Sequence, residues 1–389
     1  MASLKPLDPL DLDALITDDE RAIRDAAREW VERRILPEVE DWYESGVFPA
    51  REIAKELGAL GFLGMHLQGY GCLGVNAIAY GLAELELEAG DSGLRSMVSV
   101  QGALAMFAIH RFGSDEQKDE WLPRMAAGEA IGCFGLSEHD AGSDPGRMRT
   151  FARRDGDDWI IAGTKMWITN GSVSDISVVW AHTDDGIRGF LVPADAAGFS
   201  TNEIHKKMSL RASVTSELVM DDVRLPGTAL LPGVEGLKGP LSCLNEARYG
   251  IIWGVMGAAR TCFKTALEYA GTREQFDRPI ASFQLTQKKL TDMAVELNKG
   301  TLLAHHLGRM KDDGRLRAEH VSFGKLNNTR EALKIARTSR SILGANGITL
   351  EYPIMRHMTN LESVLTYEGT EEVHTLVLGQ ALTGIRAFS

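Results

Sequence analysis

One carboxylate near the C-terminus stands between an aromatic residue and a glycine, in the stretch Tyr367-Glu368-Gly369-Thr370. The segment before it, residues 358–365, is predominantly apolar, so a carboxylate placed there can lose contact with water. Burial raises the pKa of a carboxyl group toward that of a useful general base. The same stretch also fits a solvated loop in which Thr370 is the N-cap of a helix with an acidic first turn. The motif alone leaves both interpretations open.

A second candidate for chemistry is Arg95, which leads into the almost wholly apolar stretch 97–107. An arginine in that position predicts a buried anchor, and its planar guanidinium suits a carboxylate held by two parallel hydrogen bonds. Asp91 and Arg95 are four residues apart, so an ion pair on a helix surface is the alternative interpretation.

Further polar stretches lie in the middle and near the end of the chain. Residues 134–144 combine hydroxyls and glycines, which let main-chain N–H groups approach a flat polar ring or a phosphate. Trp167 and Thr169 are two residues apart and share one face of a predicted strand. Residues 273–279 and 344–347, rich in Arg and Gly, either turn the chain or grip a phosphate. Taken alone, each stretch is also explained by ordinary turn and strand-end chemistry.

Residues 69–74 match the dinucleotide pattern G-x-G-x-x-G, and Glu84, Glu86 and Glu88 follow it. The glycines come after a helical segment and lack a βαβ alternation around them, so the pattern predicts a glycine loop between helices. The four cysteines have no paired spacing and the ten histidines are scattered. Neither a metal site nor a disulfide framework is therefore predicted.

Composition and net charge argue against two classes of protein, those that bind nucleic acids and those that insert into membranes. The chain has 389 residues, a formal net charge of -12, and 44% hydrophobic and 25% charged residues. This negative charge argues against a nucleic-acid partner. Membrane insertion is not expected either, because the apolar runs are shorter than the ~20 residues that span a bilayer. Residues 1–12 have neither a signal core nor an Arg-rich leader, so the expected location is the cytoplasm, or the mitochondrial matrix after removal of a leader.

The period of the apolar residues predicts the elements that position these candidates. Helical spacing from Asp18 to about Ala127 predicts an all-helical first domain, residues 1–130. A period of two follows, with turns at 155–156 and 185–186, and predicts a compact antiparallel, barrel-like middle domain, residues 131–238. Helical spacing then returns and predicts a C-terminal four-helix bundle, residues 239–389, in an overall α+β fold. The predicted strands are 159–162, 166–169, 176–182, 187–192 and 217–220.

The order of these parts, with each motif in its place, resembles the acyl-CoA dehydrogenase family over nearly the whole chain. Within the family the chain is similar to the glutaryl-CoA dehydrogenase branch, through the motif Asp-Ser-Gly-x-Arg at 91–95 and Asn-x-Ala-Arg-Tyr-Gly at 245–250. Some other branches carry their catalytic glutamate on the second of these motifs, where this chain has Ala247. The resemblance therefore assigns the base to Glu368.

This resemblance implies an FAD-dependent oxidative decarboxylation of glutaryl-CoA to crotonyl-CoA and CO2. Glu368 would take the α-proton, and the β-hydrogen would leave as hydride to flavin N5. The implied partners are an acyl-CoA substrate, electron-transfer flavoprotein as electron acceptor, and other subunits in a homotetramer built as a dimer of dimers. Three alternatives remain open: an acyl-CoA dehydrogenase for another short-chain or dicarboxylic acyl group, a glutaryl-CoA dehydrogenase that does not decarboxylate, and a non-catalytic flavin-binding or scaffold protein.

The resemblance also implies roles for individual residues, with no metal among the ligands. The substrate would be bound by Arg95, Ser96, Glu88, Tyr367, Ser143, Asn245 and Arg248. The flavin would contact, from its own chain, Phe134, Leu136, Ser137, Gly142, Ser143, Trp167, Ile168, Thr169, Thr370 and Glu372. A neighbouring subunit would hold the remainder of FAD with Arg273, Phe276, Gln284, Gly344 and Gly347.

Overall fold

Helices, then a β-sheet, then helices follow one another along the chain in the computed structural model, which describes residues 4–387. This order confirms the predicted α+β architecture. The predicted ends of the first and third domains, residues 1–3 and 388–389, lie outside the described residues.

The N-terminal part is helical, as predicted. A capping box opens its first helix, because the Thr17 hydroxyl accepts from the Glu20 main chain and the Glu20 carboxylate accepts from the Thr17 N–H. The glycine pattern at 69–74 lies in the loop between the third and fourth helices, as expected. The α-helices are α1 Asp18–Trp30, α2 Val39–Ser45, α3 Ala50–Ala59, α4 Ala77–Gly90, α5 Ser92–Ser99, α6 Phe107–Phe112 and α7 Asp115–Ala126, with π-helical segments Val31–Ile35 and Val100–Met106.

The middle part forms one seven-stranded sheet in the order β1-β4-β2-β3-β7-β6, with β5 paired to β4. Most neighbouring strands are antiparallel, as predicted, while β1 and β2 both run parallel to β4. The two strands predicted at 159–162 and 166–169 are one strand that continues through irregularities in register. The strands are β1 Gly132–Gly135, β2 Phe151–Asp155, β3 Asp158–Thr169, β4 Ile176–Thr183, β5 Gly186–Pro193, β6 Phe199–Glu203 and β7 Thr215–Leu225.

The C-terminal part is helical again, and as far as residue 387 it contains five α-helices rather than the four predicted. The additional one, α11 (Pro353–Thr366), covers the apolar segment that precedes Glu368. A short hairpin follows the longest helix, and its two strands, β8 Glu274–Gln275 and β9 Arg278–Pro279, have two residues each. The helices are α8 Lys238–Thr272, α9 Gln284–Asp312, α10 Ala318–Ile342, α11 Pro353–Thr366 and α12 Glu371–Thr383.

Helix α4 is buried along its whole length and packs closely against α8. Glycines on α8 allow this close approach: a Cβ on Gly257 would lie 1.8 Å from the Leu85 carbonyl oxygen, and one on Gly254 would lie 2.1 Å from Glu88 Oε2. The contact therefore brings the polar side chains of α4 into the interior of the protein.

Within residues 4–387, every helix is too short or too polar to cross a lipid bilayer. Over the same range, histidine, cysteine and acidic side chains form no cluster of three or more that would hold a metal ion.

Candidate active site

Arg95 and Glu88 form an ion pair that is fully shielded from solvent. Arg95 Nε donates to Glu88 Oε2 at 2.7 Å, and the Ser92 hydroxyl donates to Glu88 Oε1 at 2.8 Å. Arg95 Nη2 donates to the Tyr367 hydroxyl, which brings α5 together with the residues that follow α11. The remaining nitrogen, Nη1, is buried and has no hydrogen-bond partner among residues 4–387. A buried guanidinium with a free edge is suited to an anionic ligand.

The alternative interpretation of Arg95, a surface ion pair with Asp91, is wrong. Asp91 is itself buried and caps α5, since its Oδ1 accepts from the Gly93 N–H at 2.7 Å. Its Oδ2 accepts from Arg356 at 2.5 Å and from Asn360 at 2.9 Å. Asp91 thus fixes the start of α5 on α11, and Arg95 is left to face the interior.

Glu368 follows α11 in a left-handed backbone conformation, with φ of 54°. This conformation is strained for a residue other than glycine, so neighbouring contacts must hold it. Arg248 Nε donates to the Glu368 carbonyl at 2.6 Å. Lys325 Nζ donates at 2.7 Å to each of the carbonyls of Tyr367 and Gly369. Three hydrogen bonds from two cations therefore fix the direction of the Glu368 side chain.

The Glu368 carboxylate lies in an environment that favours its neutral form. The residue as a whole is partly exposed, but Oε2 is shielded from solvent and has no partner in the described part of the chain. Burial raises the pKa of Glu368 above its usual value, while the charges of Arg95, Lys325 and Arg248 oppose that rise. Burial likewise lowers the pKa of Lys325, to about 7, against the attraction of Glu368. A carboxylate with a raised pKa is suited to general-base chemistry.

Thr370 caps α12, as predicted: its hydroxyl accepts from the Val373 N–H at 3.3 Å. Glu368 itself is not the solvated loop acid of the alternative interpretation, because Oε2 is buried. Glu246, one residue from Ala247 on α8, forms an ion pair with Lys311 at 2.7 Å and is not directed at Glu368.

The two polar stretches of the middle part lie side by side. The Met166 N–H donates to the Ser137 carbonyl at 2.9 Å, and the buried Lys165 ammonium donates to the Leu136 carbonyl at 3.2 Å. Lys165 also pairs with Glu138 at 2.8 Å. The loop that follows β1 is therefore fastened to the end of β3.

Beside this loop, an irregularity in β3 turns Trp167 outward. Trp167 has φ of 64° and is 59% exposed, while Thr169 is half-buried. An exposed indole held in a strained conformation fits a flat aromatic cofactor such as a flavin.

The other residues assigned to the flavin are either buried in the core or exposed in loops and at a helix start. The side chains of Phe134, Leu136 and Ile168 are buried in the core, so that only their main chains can face a cofactor. Gly142 and Ser143 are exposed. Glu372, also exposed, lies in the first turn of α12.

The residues assigned to the FAD of a neighbouring subunit lie at or near the C-terminal end of α8. Arg273 and Gly344 line one cleft of about 280 Å³. Phe276 is 86% exposed at the hairpin turn and Gln284 is exposed, whereas neither lines that cleft. Gly347 is buried, and a Cβ there would lie 2.4 Å from the Arg340 carbonyl. Close packing alone therefore explains why this position is a glycine.

The remaining residues assigned to the substrate are Asn245, Ser96 and Ser143. Asn245 Oδ1 accepts from Arg248 Nη1 at 3.3 Å and helps to orient that guanidinium. Ser96 is buried next to Arg95. Glu88, Arg95, Tyr367, Glu368 and Arg248 are thus brought together, while Ser143 belongs to the exposed loop after β1.

Sequence reasoning missed two buried ionisable groups, Lys325 and Glu84. Lys325 has Ser322, Asn328 and Thr329 three or four positions away on α10, and such a pattern is typical of a solvated helix face. Glu84 was noted only as an acid that follows the glycine pattern. A usable signal existed for Glu84, because Tyr80, Glu84 and Glu88 recur every four residues on a helix that is otherwise largely apolar.

Three family models match the chain: acyl-CoA dehydrogenase N-terminal domain at residues 17–129, middle domain at 133–223 and C-terminal domain at 235–383. The fold is similar to a crystal structure of glutaryl-CoA dehydrogenase from Mycobacterium smegmatis, with 66% identity, a TM-score of 0.99 and complete coverage of both chains. A glutaryl-CoA dehydrogenase from the same organism in complex with FADH2 is 63% identical, with a TM-score of 0.98 and complete coverage of both chains. The human mitochondrial short-chain specific acyl-CoA dehydrogenase is 34% identical over 92% of this chain and 89% of its own length.

Proposed function

Because this chain belongs to the acyl-CoA dehydrogenase family, we propose that it oxidises glutaryl-CoA with FAD and releases CO2, giving crotonyl-CoA. The observation that carries the proposal is the buried guanidinium of Arg95, which has a free Nη1 and lies in the same site as Glu368. The similar glutaryl-CoA dehydrogenases from Mycobacterium smegmatis support it.

Glu368 is the base in this proposal. The α-hydrogen of a thioester is a weak acid, so the site must supply a base and stabilise the enolate as it forms. The raised pKa of Glu368 matches such a task, and the bonds from Lys325 and Arg248 keep the strained segment in position. The Glu368 main-chain N–H polarises the thioester carbonyl.

Arg95 selects the acyl group. A distal carboxylate accepts from Nη1, the donor that residues 4–387 leave free, while Glu88 and Tyr367 keep the guanidinium plane fixed. A substrate without this carboxylate leaves Nη1 buried and unpaired, which costs about 1–3 kcal/mol or more for a charged group.

FAD is the cofactor of this family, and when bound it accepts the β-hydrogen of the substrate as hydride. Trp167 and Thr169 are proposed to hold the flavin ring, together with main-chain groups of residues 134–137 and the loop at 142–143. Thr370 and Glu372 contact the cofactor at the start of α12, where the helix N-terminus favours an anion.

Oxidation converts the glutaryl group to a glutaconyl group, whose carboxylate leaves as CO2. The electron pair of the broken C–C bond enters a dienolate that is conjugated to the thioester. The proton taken by Glu368 then returns to the γ-carbon and gives crotonyl-CoA, so the base is regenerated.

We also propose that the protein is a homotetramer and that electron-transfer flavoprotein reoxidises it. Arg248 and Arg273 are 25 positions apart along α8, roughly 37 Å at 1.5 Å per residue. The cleft at Arg273 is thus remote from Glu368 of its own chain, as a cofactor shared between subunits requires. Arg273, Phe276, Gln284, Gly344 and Gly347 are proposed to hold the FAD of a neighbouring subunit.

The test is anaerobic mixing of the purified yellow protein with glutaryl-CoA, followed by chromatography of the thioesters. Bleaching of the flavin with crotonyl-CoA as the product supports the proposal. Glutaconyl-CoA as the final product indicates a dehydrogenase that does not decarboxylate. Bleaching by butyryl-CoA alone would assign the chain to short-chain substrates, as in its human relative.

A further inference from the structure

A second buried carboxyl group, on Glu84, lies within the same polar interior and has no role in the reaction described above. Glu84 is 1% exposed, and neither of its oxygens has a hydrogen-bond partner among the described residues. Unpaired buried carboxyl groups are rare in folded proteins because their desolvation is costly. Glu84 therefore calls for a ligand or a function.

Charged and titratable groups face Glu84 from three sides. Tyr80 and Glu88 lie one turn before and one turn after it on α4, and the positive charge of Arg95 acts on it from α5. The negative charge of Glu368, in the segment after α11, also acts on the pKa of Glu84. On the α8 side, Gly250 leaves room: a Cβ there would lie 3.1 Å from Tyr80 Oη and 3.5 Å from Glu84 Cδ. Glu84 thus belongs to the interior that holds Arg95 and Glu368.

Once a ligand carboxylate is bound, the balance of charge in this interior favours a neutral Glu84. Arg95, Arg248 and Lys325 supply the positive charges, while Glu88 and Glu368 supply two negative ones. A ligand carboxylate adds a third negative charge, and an ionised Glu84 would add a fourth. Burial raises the pKa of Glu84 to about 8. The charge of Arg95 and the nearby Tyr80 hydroxyl oppose that rise, while Glu88 and Glu368 act in the same direction as burial.

We propose that Glu84, in its protonated form, donates a hydrogen bond to the distal carboxylate of the acyl group and shares that carboxylate with Arg95 Nη1. Both groups are buried, both lack partners in the described chain, and their hydrogen-bonding capacities complement a carboxylate. Glu84 is then a specificity-determining residue, and this inference rests on the proposed use of glutaryl-CoA.

The test compares three variants of the FAD-loaded enzyme with the wild type, using glutaryl-CoA and butyryl-CoA. Glu84→Ala removes the donor and should raise the KM for glutaryl-CoA roughly 10- to 100-fold, as expected for a lost hydrogen bond to a charged group, with little change for butyryl-CoA. Glu84→Gln keeps a neutral donor and should retain a KM for glutaryl-CoA near the wild-type value at pH 7. Glu86→Gln is the matched control, since Glu86 is buried on the same helix but binds Arg28 and Arg260.

The pH profile gives a second readout that does not depend on the stability of the alanine variant. In the wild type, the KM for glutaryl-CoA should rise as the pH passes about 8, because Glu84 loses the donated proton and gains a repelling charge. Glu84→Gln should lack that rise.

Two results would overturn the inference alone: equal effects of Glu84→Ala on both substrates, or a Glu84→Gln profile that keeps the rise. A wild-type flavin that is bleached by butyryl-CoA and not by glutaryl-CoA would instead overturn the proposed function, and this inference with it.

Discussion

The ammonium of Lys325 binds the two peptide carbonyls on either side of Glu368, those of Tyr367 and Gly369, each at 2.7 Å. One buried cation thus both supports the strained backbone of Glu368 and attracts its carboxylate. Position and charge of the proposed base are controlled by the same side chain.

Lys325→Met should therefore move the acid limb of the kcat/KM profile to higher pH. The charge of Lys325 lowers the pKa of Glu368, so its removal lets burial raise that pKa further, and the ionised base persists only at higher pH. The effect should be largest below pH 7, where Lys325 is charged. Lys334→Met, an exposed lysine of the same helix, is the control and should leave the profile unchanged. An acid limb at the wild-type position in Lys325→Met would contradict this relationship.

Glu368→Gln should keep the yellow colour and lose reduction of the flavin by acyl-CoA. Loss of a positioned general base costs roughly 10²- to 10⁴-fold in rate, which stopped-flow bleaching measures directly. Glu372→Gln removes an exposed carboxylate four residues later and tests whether the loss of any nearby carboxylate has the same effect. Normal bleaching in Glu368→Gln would remove this residue as the base.

Replacing Arg95 should damage glutaryl-CoA turnover far more than butyryl-CoA turnover. Arg95→Gln alone leaves Glu88 as a buried unpaired charge, which costs about 3–5 kcal/mol of stability. The double variant Arg95→Gln with Glu88→Gln avoids that charge and isolates recognition. We expect its kcat/KM to fall more than 100-fold for glutaryl-CoA, and less than tenfold for butyryl-CoA. Equal losses for the two substrates would show that Arg95 does not recognise a distal charge.

Gly254→Ala should disturb the same ion pair from the opposite helix. The added Cβ would lie 2.1 Å from Glu88 Oε2 and 3.3 Å from Arg95 Nε, so the pair must shift or α4 must move away from α8. We expect a lower melting temperature and a raised KM for glutaryl-CoA. Gly271→Ala, on the same helix with open space around it, should be neutral or slightly stabilising. Similar behaviour of the two variants would mean that the helix contact tolerates a side chain.

The sequence predicted the family, the order of helical and β parts, and FAD as cofactor, and these predictions are confirmed. Arg95 and Glu368 were identifiable because a charged residue next to an apolar segment indicates burial. Their chemical roles, like those of the flavin contacts and the domain bounds, remain predictions.

The sequence pattern did not predict three of the strands or the burial of Lys325 and Glu84, and each failure has a physical reason. Strands β1, β2 and β6 were not predicted because they are short and have few apolar residues, so that pairing with neighbours stabilises them. Lys325 and Glu84 were missed because burial of a charged residue depends on which helix packs over it. For Glu84, that helix is α8, whose glycines lie more than 160 residues away in the chain.

The central claim is that this enzyme couples flavin reduction to loss of the distal carboxylate. Glutaryl-CoA labelled with ¹³C at that carboxylate, mixed anaerobically with the FAD-loaded enzyme in a single turnover, tests it most directly when labelled CO2 is counted by mass spectrometry. We predict one labelled CO2 for each flavin reduced, with crotonyl-CoA as the thioester. Complete flavin reduction with all label retained in a five-carbon thioester would contradict the account.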